Sequence, residues 1–97
     1  MNVRFLETAE RELEDAIDYY ELESDGLGPR FKSEVKLALD RISRFPDAWS
    51  VEIEDVRRCL LHKFPYKLLY SVESDHILVI AVVHQHRKPF YWLSRVK

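Results

Sequence analysis

The sequence predicts an α+β fold: an N-terminal strand, an antiparallel helical hairpin, and a mainly antiparallel sheet of about four to five strands on which the hairpin packs. Two observations predict this class. Apolar residues recur at helical spacing in the first half of the chain, and the second half consists of short apolar or alternating runs separated by turn residues. At 97 residues the chain has room for one hydrophobic core, so we expect a single domain over residues 1–97.

A short strand and a first helix occupy the beginning of the chain. Val3 to Leu6 has the composition of a strand, and Thr8 is the predicted N-cap of the helix, because its hydroxyl can accept a hydrogen bond from an otherwise unpaired backbone N–H. Acidic residues follow in the first turns, where the helix dipole favours them. The predicted buried stripe of this helix comprises Ala9, Leu13, Ala16, Ile17 and Tyr20.

A break that contains glycine and proline separates the first helix from a second one. Gly26 and Gly28 allow positive backbone φ, and Pro29 suits the first turn of a new helix. We expect the second helix to end at Phe45-Pro46-Asp47, since proline cannot continue it. Its predicted buried face comprises Phe31, Val35, Ala38, Leu39 and Ile42.

Four strands and a short tail are predicted from residue 49 onward. Glu54-Asp55 and Ser74-Asp75 are the turn candidates, and the apolar run from Ile77 to Val83 predicts a central strand. The predicted strands are Trp49–Ile53, Val56–Leu61, Tyr66–Glu73 and His76–His84, and Lys88–Val96 is predicted to be a short terminal helix or an extended tail.

Charge is distributed unevenly along the chain. The net charge is −2, but residues 1–56 hold 7 Lys or Arg against 15 Asp or Glu, giving −8, whereas residues 57–97 hold 8 against 2, giving +6. A basic half can serve an acidic partner or phosphates, and the acidic half argues against coating a nucleic acid over the whole surface. We therefore expect one apolar sheet face under the helices and one cationic face that is free for a partner or a phosphate.

Cysteine usage and hydropathy indicate the compartment. Cys59 is the single cysteine, so an intrachain disulfide is excluded and a reducing compartment fits. Residues 8–23 are too charged for a signal-peptide core or a membrane span. We expect a cytoplasmic protein that does not associate with membranes.

Four motifs occur in order along the chain: Tyr19-Tyr20-Glu21, then Gly26-Leu27-Gly28-x-Arg30-Phe31, then Phe64-Pro65-Tyr66-Lys67-Leu68-Leu69-Tyr70, and then Ile80-Ala81-Val82-Val83-His84-x-x-Arg87-x-Pro89-x-Tyr91-Trp92. Together they resemble the RelE/ParE superfamily of toxins from type II toxin-antitoxin systems. The resemblance covers nearly the whole chain. The ending Pro89-x-Tyr91-Trp92 is similar to that of the ParE-like branch.

The resemblance implies a toxin with the RelE/ParE-like fold and a cognate antitoxin that wraps it and lays a helix or strand over its surface. The pair is expected to bind operator DNA only through the antitoxin. The target stays open, because ParE-like members bind and poison DNA gyrase, whereas RelE-like members cut messenger RNA in the ribosomal A site. Whether the chain is an enzyme stays open with it. A further alternative is a degenerate toxin that retains only antitoxin binding.

Residues near the end of the last predicted strand are candidates for RNA cleavage. Cleavage without a metal needs a base for the 2′-hydroxyl, an acid for the leaving oxygen and cations around the developing charge. In an extended strand the side chains of His84 and His86 would share one face about 7 Å apart. The resemblance aligns His86 with the catalytic histidine of some RelE-like nucleases, and Lys67 with a basic residue on the neighbouring strand. If the chain is an endoribonuclease, we expect His86, Lys67 and Arg87 to be its catalytic residues.

The other candidates are residues that bind a partner. Arg57, Arg58 and Lys67 are expected to line the cationic sheet face, where they would bind an acidic antitoxin segment or, alternatively, a phosphate. Tyr91 and Trp92 either anchor the tail by packing or stack on a base. The candidate binding residues are Arg57, Arg58, His84, Tyr91, Trp92 and Arg95.

Histidine spacing permits one further alternative, a metal site. His84 and His86 are two residues apart, a spacing at which two imidazoles on one strand can both bind zinc. Either His62 or His76 would be a further ligand. The spacing does not fix a third ligand, so we assign no metal and no cofactor to the chain.

Overall fold

The computed structural model describes residues 1–96, which form two helices, five strands and a final 3₁₀ turn. The helices are α1 (Glu7–Glu23) and α2 (Leu27–Arg44). The strands are β1 (Asn2–Phe5), β2 (Val51–Ile53), β3 (Val56–Leu60), β4 (Tyr66–Val72) and β5 (His76–His84), and the 3₁₀ turn is Leu93–Arg95. The predicted order of elements is confirmed, and the boundaries of the helices and strands shift by a residue or two. Within the predicted tail Lys88–Val96, only the 3₁₀ turn Leu93–Arg95 is helical.

Helix α1 begins before the predicted N-cap. Leu6 occupies the capping position in an extended conformation (φ −61°, ψ 147°) and no side chain caps the helix, so the prediction of Thr8 as N-cap is wrong. Backbone hydrogen bonds hold this junction instead. The N–H of Leu6 donates to the Val79 carbonyl of β5 at 3.0 Å, and the N–H of Glu10 donates to the Leu6 carbonyl at 2.9 Å. Because β1 passes directly into α1, the pairing of β1 determines where the helix begins.

The two helices are joined by the three residues Ser24-Asp25-Gly26. Gly26 has φ of 87°, which glycine adopts without strain. The carboxylate of Glu21 in α1 accepts hydrogen bonds from the N–H groups of Gly26 and Gly28, each at 3.0 Å, and so caps the start of α2. A Cβ on Gly28 would lie 2.9 Å from the carbonyl oxygen of Ile17, so glycine at this position lets the two helices approach closely.

The five strands form one sheet in the order β1-β5-β4-β3-β2. β1 runs parallel to β5, and the other three pairs of neighbours are antiparallel. The apolar run from Ile77 to Val83 lies in β5, an interior strand, while the middle of the sheet is β4. The predicted α+β class with a mainly antiparallel sheet is therefore confirmed.

Both helices pack on one face of the sheet, with α1 over β5 and α2 over β3 and β1. The ring of Phe31 lies between 5.0 and 5.2 Å from the rings of Tyr20, Phe64 and Tyr66, and this aromatic group closes one end of the core. The buried residues of this core are Ala9, Ala16, Phe31, Val35, Ala38, Ile42, Cys59, Leu61, Leu68, Tyr70, Ile77, Val79 and Val82. The predicted apolar stripes of both helices therefore form the helical half of this core and pack against the sheet.

The sheet face opposite the helices, here called the outer face, is not the free cationic surface that the sequence predicted. It carries an apolar cluster, the outer cluster, of Val56, Leu69, Ile80, Ala81, Val83 and Trp92. A register shift opposite Leu69 and Tyr70 forms a bulge that adds Ile80 to this cluster. Trp92 covers the cluster and is 1% exposed. The prediction was wrong because β5 is apolar on both sides and needs a cover on each, and residues 85–96, the C-terminal segment, supply the second cover.

Candidate functional site

The two candidate histidines lie together at the end of β5. His84 is half-buried opposite Tyr66 of β4, and the two rings meet edge to face with centroids 5.1 Å apart. His86 is exposed in the turn that follows, where its N–H donates to Nδ1 of His84 at 3.1 Å. The two imidazole rings are 5.2 Å apart. The structure thus brings the histidines together through a turn, whereas the sequence predicted an extended strand.

Arg87 lies between two cavities beside these histidines. Its guanidinium stands 3.9 Å from the centre of the Tyr91 ring, a cation–π contact. One cavity of about 260 Å³ lies on the helix side and is lined by His84 and Arg87 among others. A second, of about 220 Å³, is lined by the same two residues and by Lys67. His86 lines neither cavity, so the three candidate catalytic residues are not gathered around one cavity.

Lys67 and Arg58 both lie on the outer face, where a carboxylate holds them. The Nζ atom of Lys67 is 2.7 Å from Oε2 of Glu52, and Nη1 of Arg58 is 3.3 Å from Oε1. The Glu52 and Lys67 side chains are only 14% and 22% exposed. Glu52 was not predicted as a functional residue, although its place in a short strand next to the Arg57-Arg58 strand was visible in the sequence.

Arg57 does not share this surface. It pairs with Tyr70 across β3 and β4 and lies on the helix side, because neighbouring residues of a strand point to opposite faces. Its Nη1 donates to the Trp49 carbonyl at 2.6 Å, which fastens the α2–β2 connection. Nearby, the buried Tyr70 hydroxyl donates to the Pro46 carbonyl at 2.7 Å, and burial raises the pKa of Tyr70 to about 12. The prediction that Arg57 and Arg58 line one cationic face is therefore wrong for Arg57.

Glu12 joins α1 to the C-terminal segment. β1 pairs with only the first half of β5, so the second half has a free edge on that side. The Glu12 carboxylate accepts hydrogen bonds there from the Val82 N–H at 3.1 Å, from Arg95 at 2.8 and 3.0 Å, and from the Tyr91 hydroxyl. Arg95 also donates to the Ile80 carbonyl at 3.0 Å. We call Glu12, Tyr91 and Arg95 the carboxylate clamp.

The contacts of the clamp set its ionisation. Burial raises the pKa of Glu12, but the hydrogen bonds from Arg95, Tyr91 and the Val82 N–H outweigh burial and hold that pKa below its usual value. Burial, followed by the hydrogen bond to Glu12, raises the pKa of Tyr91. The hydrogen bond to Glu12 likewise raises the pKa of Arg95. Glu12 is therefore ionised at neutral pH, and Tyr91 stays protonated and donates.

The candidate binding residues of the C-terminal segment attach it to the rest of the molecule. Tyr91 and Arg95 are held by Glu12, and the Trp92 ring is buried in the outer cluster. The packing alternative for Tyr91 and Trp92 therefore describes their place in the structure. Glu12 was not predicted because Tyr91 and Arg95 are 79 and 83 residues away along the chain.

The other two histidines of the metal alternative do not complete a site. His76 begins β5 and His84 ends it, so about 26 Å of strand separate them. Over residues 1–96, no group of three or more His, Cys, Asp or Glu side chains is arranged to hold a metal ion.

In the same range, no helix combines the length and the apolar character that crossing a membrane requires.

Comparison with known proteins identifies the family. The profile described as the ParE toxin of type II toxin-antitoxin system, parDE, matches residues 3–89. The chain belongs to the ParE toxin family. The resemblance to the ParE-like branch is thereby confirmed, and no curated protein matches the sequence.

A solved structure has the same fold as this ParE-family chain. It is described as the chromosomal ParDE TA system from P. aeruginosa, and it superposes with a TM-score of 0.62 at 14% sequence identity. The alignment covers 87% of this chain and 95% of that chain. At this identity the likeness shows the fold, which agrees with two helices packed on a five-stranded mixed sheet.

The family match separates two groups of candidate residues in this ParE-family chain. Lys67, His84, His86 and Arg87 lie within residues 3–89. Tyr91, Trp92 and Arg95 lie beyond the matched range. The clamp therefore rests on this chain's own geometry, since only its Glu12 lies inside the match.

Proposed function

We propose that this ParE-family chain is a toxin that a cognate antitoxin neutralises, and that it acts by binding DNA gyrase in the cytoplasm. The supporting observation is the pairing of Lys67 with Glu52 at 2.7 Å. A nuclease would need Lys67 to stabilise charge on a phosphate, and a cation already bound to a carboxylate does so poorly. The net charge of −2 also favours a protein partner over a polyanion.

A supercoiling assay tests the target. Purified gyrase is incubated with relaxed plasmid, ATP and a molar excess of the chain, and the products are separated with and without protease treatment. The expected result is loss of supercoiled product, with cleaved plasmid after protease treatment. If gyrase supercoils the plasmid at its normal rate in the presence of a large excess of folded chain, gyrase is not the target.

Expression in cells tests toxicity and neutralisation. Induction of the chain alone is expected to stop growth. Co-expression of a short neighbouring open reading frame that begins with a ribbon-helix-helix or similar DNA-binding domain is expected to restore growth. The antitoxin that it encodes is expected to make all contacts of the complex with operator DNA. Among the candidate binding residues, His84 is half-buried at the end of β5 and is the proposed contact for an acidic antitoxin segment. Normal growth together with complex formation would instead indicate a degenerate toxin.

One observation favours a second candidate function, a ribosome-dependent endoribonuclease. The His84 and His86 rings are 5.2 Å apart at an open end of the sheet, next to Arg87. Primer extension on messenger RNA from induced cells tests it, with His86→Ala as the matched variant. Cleavage in the ribosomal A site that disappears in His86→Ala would establish the nuclease. Intact messenger RNA in growth-arrested cells would remove it.

A further inference from the structure

Two cavities on the outer face share one wall. The first, of about 380 Å³, has Arg58 on its lining. The second, of about 220 Å³, has Arg87 and Lys88 on its lining. Lys67 and Glu52 line both cavities, and their ion pair, closed at 2.7 Å, stands between them.

Among residues 1–96, Glu52 is the one acidic residue on the lining of either cavity. The cationic residues along the same surface are Arg58, Lys67, Arg87 and Lys88. Without the Glu52 carboxylate these side chains would form an uninterrupted row of positive charge. A row of this kind is what binds the phosphodiester backbone of a nucleic acid.

A bulge aims Glu52 at the outer face. Val51 pairs with Arg57 and Ile53 pairs with Val56, which is the next residue before Arg57, so Glu52 is the extra residue of β2. Bulges reorient side chains in this way. The three-residue edge strand thereby brings a carboxylate to Arg58 of the adjacent strand β3 and to Lys67 of β4, the strand beyond it.

The position of Glu52 makes it an effective competitor of a phosphate. Its side chain is 14% exposed, so solvent and salt screen it weakly. It contacts both Lys67 and Arg58, the two cations that a phosphate would approach at this wall. It also repels any further anion within the same few ångströms.

We propose that Glu52 is a specificity-determining residue that keeps phosphodiesters off the outer face, by filling a phosphate-binding site with the protein's own carboxylate. Without the Glu52 carboxylate, the two cavities on the outer face would bind single-stranded RNA or another phosphodiester chain. The inference does not depend on gyrase being the target, because it concerns which ligands the outer face rejects.

Fluorescence anisotropy with a short labelled single-stranded RNA tests the proposal on the purified chain. Glu52→Gln removes the carboxylate and is expected to tighten RNA binding about tenfold at low salt, with a steeper salt dependence that corresponds to about one or two added phosphate contacts. The matched control is Glu14→Gln on the exposed side of α1, which changes the net charge equally. The control is expected to stay within about twofold of the natural chain.

Two further variants make the result specific to the wall. Adding Lys67→Met to Glu52→Gln is expected to return RNA binding to the natural level. Lys67→Met alone is expected to weaken RNA binding by no more than about twofold, because Lys67 is paired with Glu52 in the natural chain. This variant tests the proposal even where Glu52→Gln does not fold. Equal gains in Glu52→Gln and Glu14→Gln, no gain in a folded Glu52→Gln, or a several-fold loss in Lys67→Met alone would each overturn the proposal. None of these measurements contains gyrase, so a negative supercoiling assay leaves them unaffected.

Discussion

Glu12 links the pH of the solution to the attachment of the C-terminal segment. Its side chain is 17% exposed and accepts hydrogen bonds from Arg95, Tyr91 and a backbone N–H. Its pKa is lowered in the folded state, so the unfolded chain binds that proton more tightly. The stability that Glu12 contributes is therefore present above its unfolded pKa and is lost as the pH falls through its folded pKa.

Glu12→Gln is expected to lower the free energy of unfolding at neutral pH by about 1–3 kcal/mol, because it replaces charge-assisted hydrogen bonds by weaker ones. The natural chain should lose stability as the pH falls below 4.5, the ordinary pKa of glutamate, and on through the lowered pKa of Glu12, and the variant should lose less over the same range. Urea unfolding at several pH values measures both effects. Glu14→Gln, on the exposed side of the same helix, is the control. Parallel pH profiles for the natural chain and Glu12→Gln would contradict the assignment.

At the scale of elements, the helical hairpin depends on close contact at Gly28. The glycine leaves room for the Ile17 carbonyl of α1 and allows Glu21 to cap α2. This contact was only partly visible in the sequence: the turn was predicted from its glycines, but their second role required the facing helix. The predicted use of positive φ is confirmed at Gly26, and Gly28 serves close packing instead.

Gly28→Ala is expected to destabilise the fold by about 1–3 kcal/mol, because the new Cβ would lie 2.9 Å from a backbone oxygen that cannot move without shifting a helix. Ser33→Ala, at an exposed position of α2, is the control and should change stability by no more than about 0.5 kcal/mol. Thermal and urea unfolding measure the difference. A neutral Gly28→Ala would show that the helices are not in close contact there.

Trp92 anchors the C-terminal segment to the sheet, because its ring covers the outer cluster. Trp92→Ala is expected to cost about 3–5 kcal/mol and to expose apolar surface that binds a hydrophobic dye. Phe90→Ala serves as the control, since Phe90 is 45% exposed, and it should cost less than about 1 kcal/mol. Urea unfolding and dye fluorescence measure the pair. Equal costs for the two substitutions would contradict the covering role of Trp92.

At the scale of the whole molecule, two apolar clusters share one sheet. β4 and β5 contribute side chains to the helix-side core and to the outer cluster alike, so neither cluster persists when those strands separate. The two tryptophans lie on different sides, with Trp49 packed against the helix-side core and Trp92 in the outer cluster. Each face therefore has its own fluorescent reporter.

Residues 1–97 are expected to unfold as one cooperative unit. In Trp92→Phe the fluorescence reports Trp49, and in Trp49→Phe it reports Trp92. Each fluorescence transition in urea is expected to coincide with the far-ultraviolet circular dichroism transition of the same variant. A Trp92 transition at lower urea than its circular dichroism transition would show that the C-terminal segment detaches before the rest unfolds.

The uneven distribution of charge along the chain predicted the positions of the charged residues in the folded molecule only in part. The basic half of the chain does place Arg58 and Lys67 together on the outer face, as predicted. The expectation of a free cationic face was wrong, because Glu52 forms ion pairs with both of these residues and Trp92 covers the neighbouring apolar cluster. Counting charges by segment cannot show this, since an ion pair joins residues from different segments.

The sequence by itself determined the order of the elements, the buried stripes of the helices and the family, because apolar periodicity and turn residues act over a few neighbouring positions. Only the tertiary structure decided which charges meet. Glu12 and Arg95 are 83 residues apart and Glu52 and Lys67 are 15 apart, and no local pattern assigns partners over such separations. The physical reason is that packing of the sheet and the C-terminal segment sets these distances, and electrostatic energy depends on distance in space.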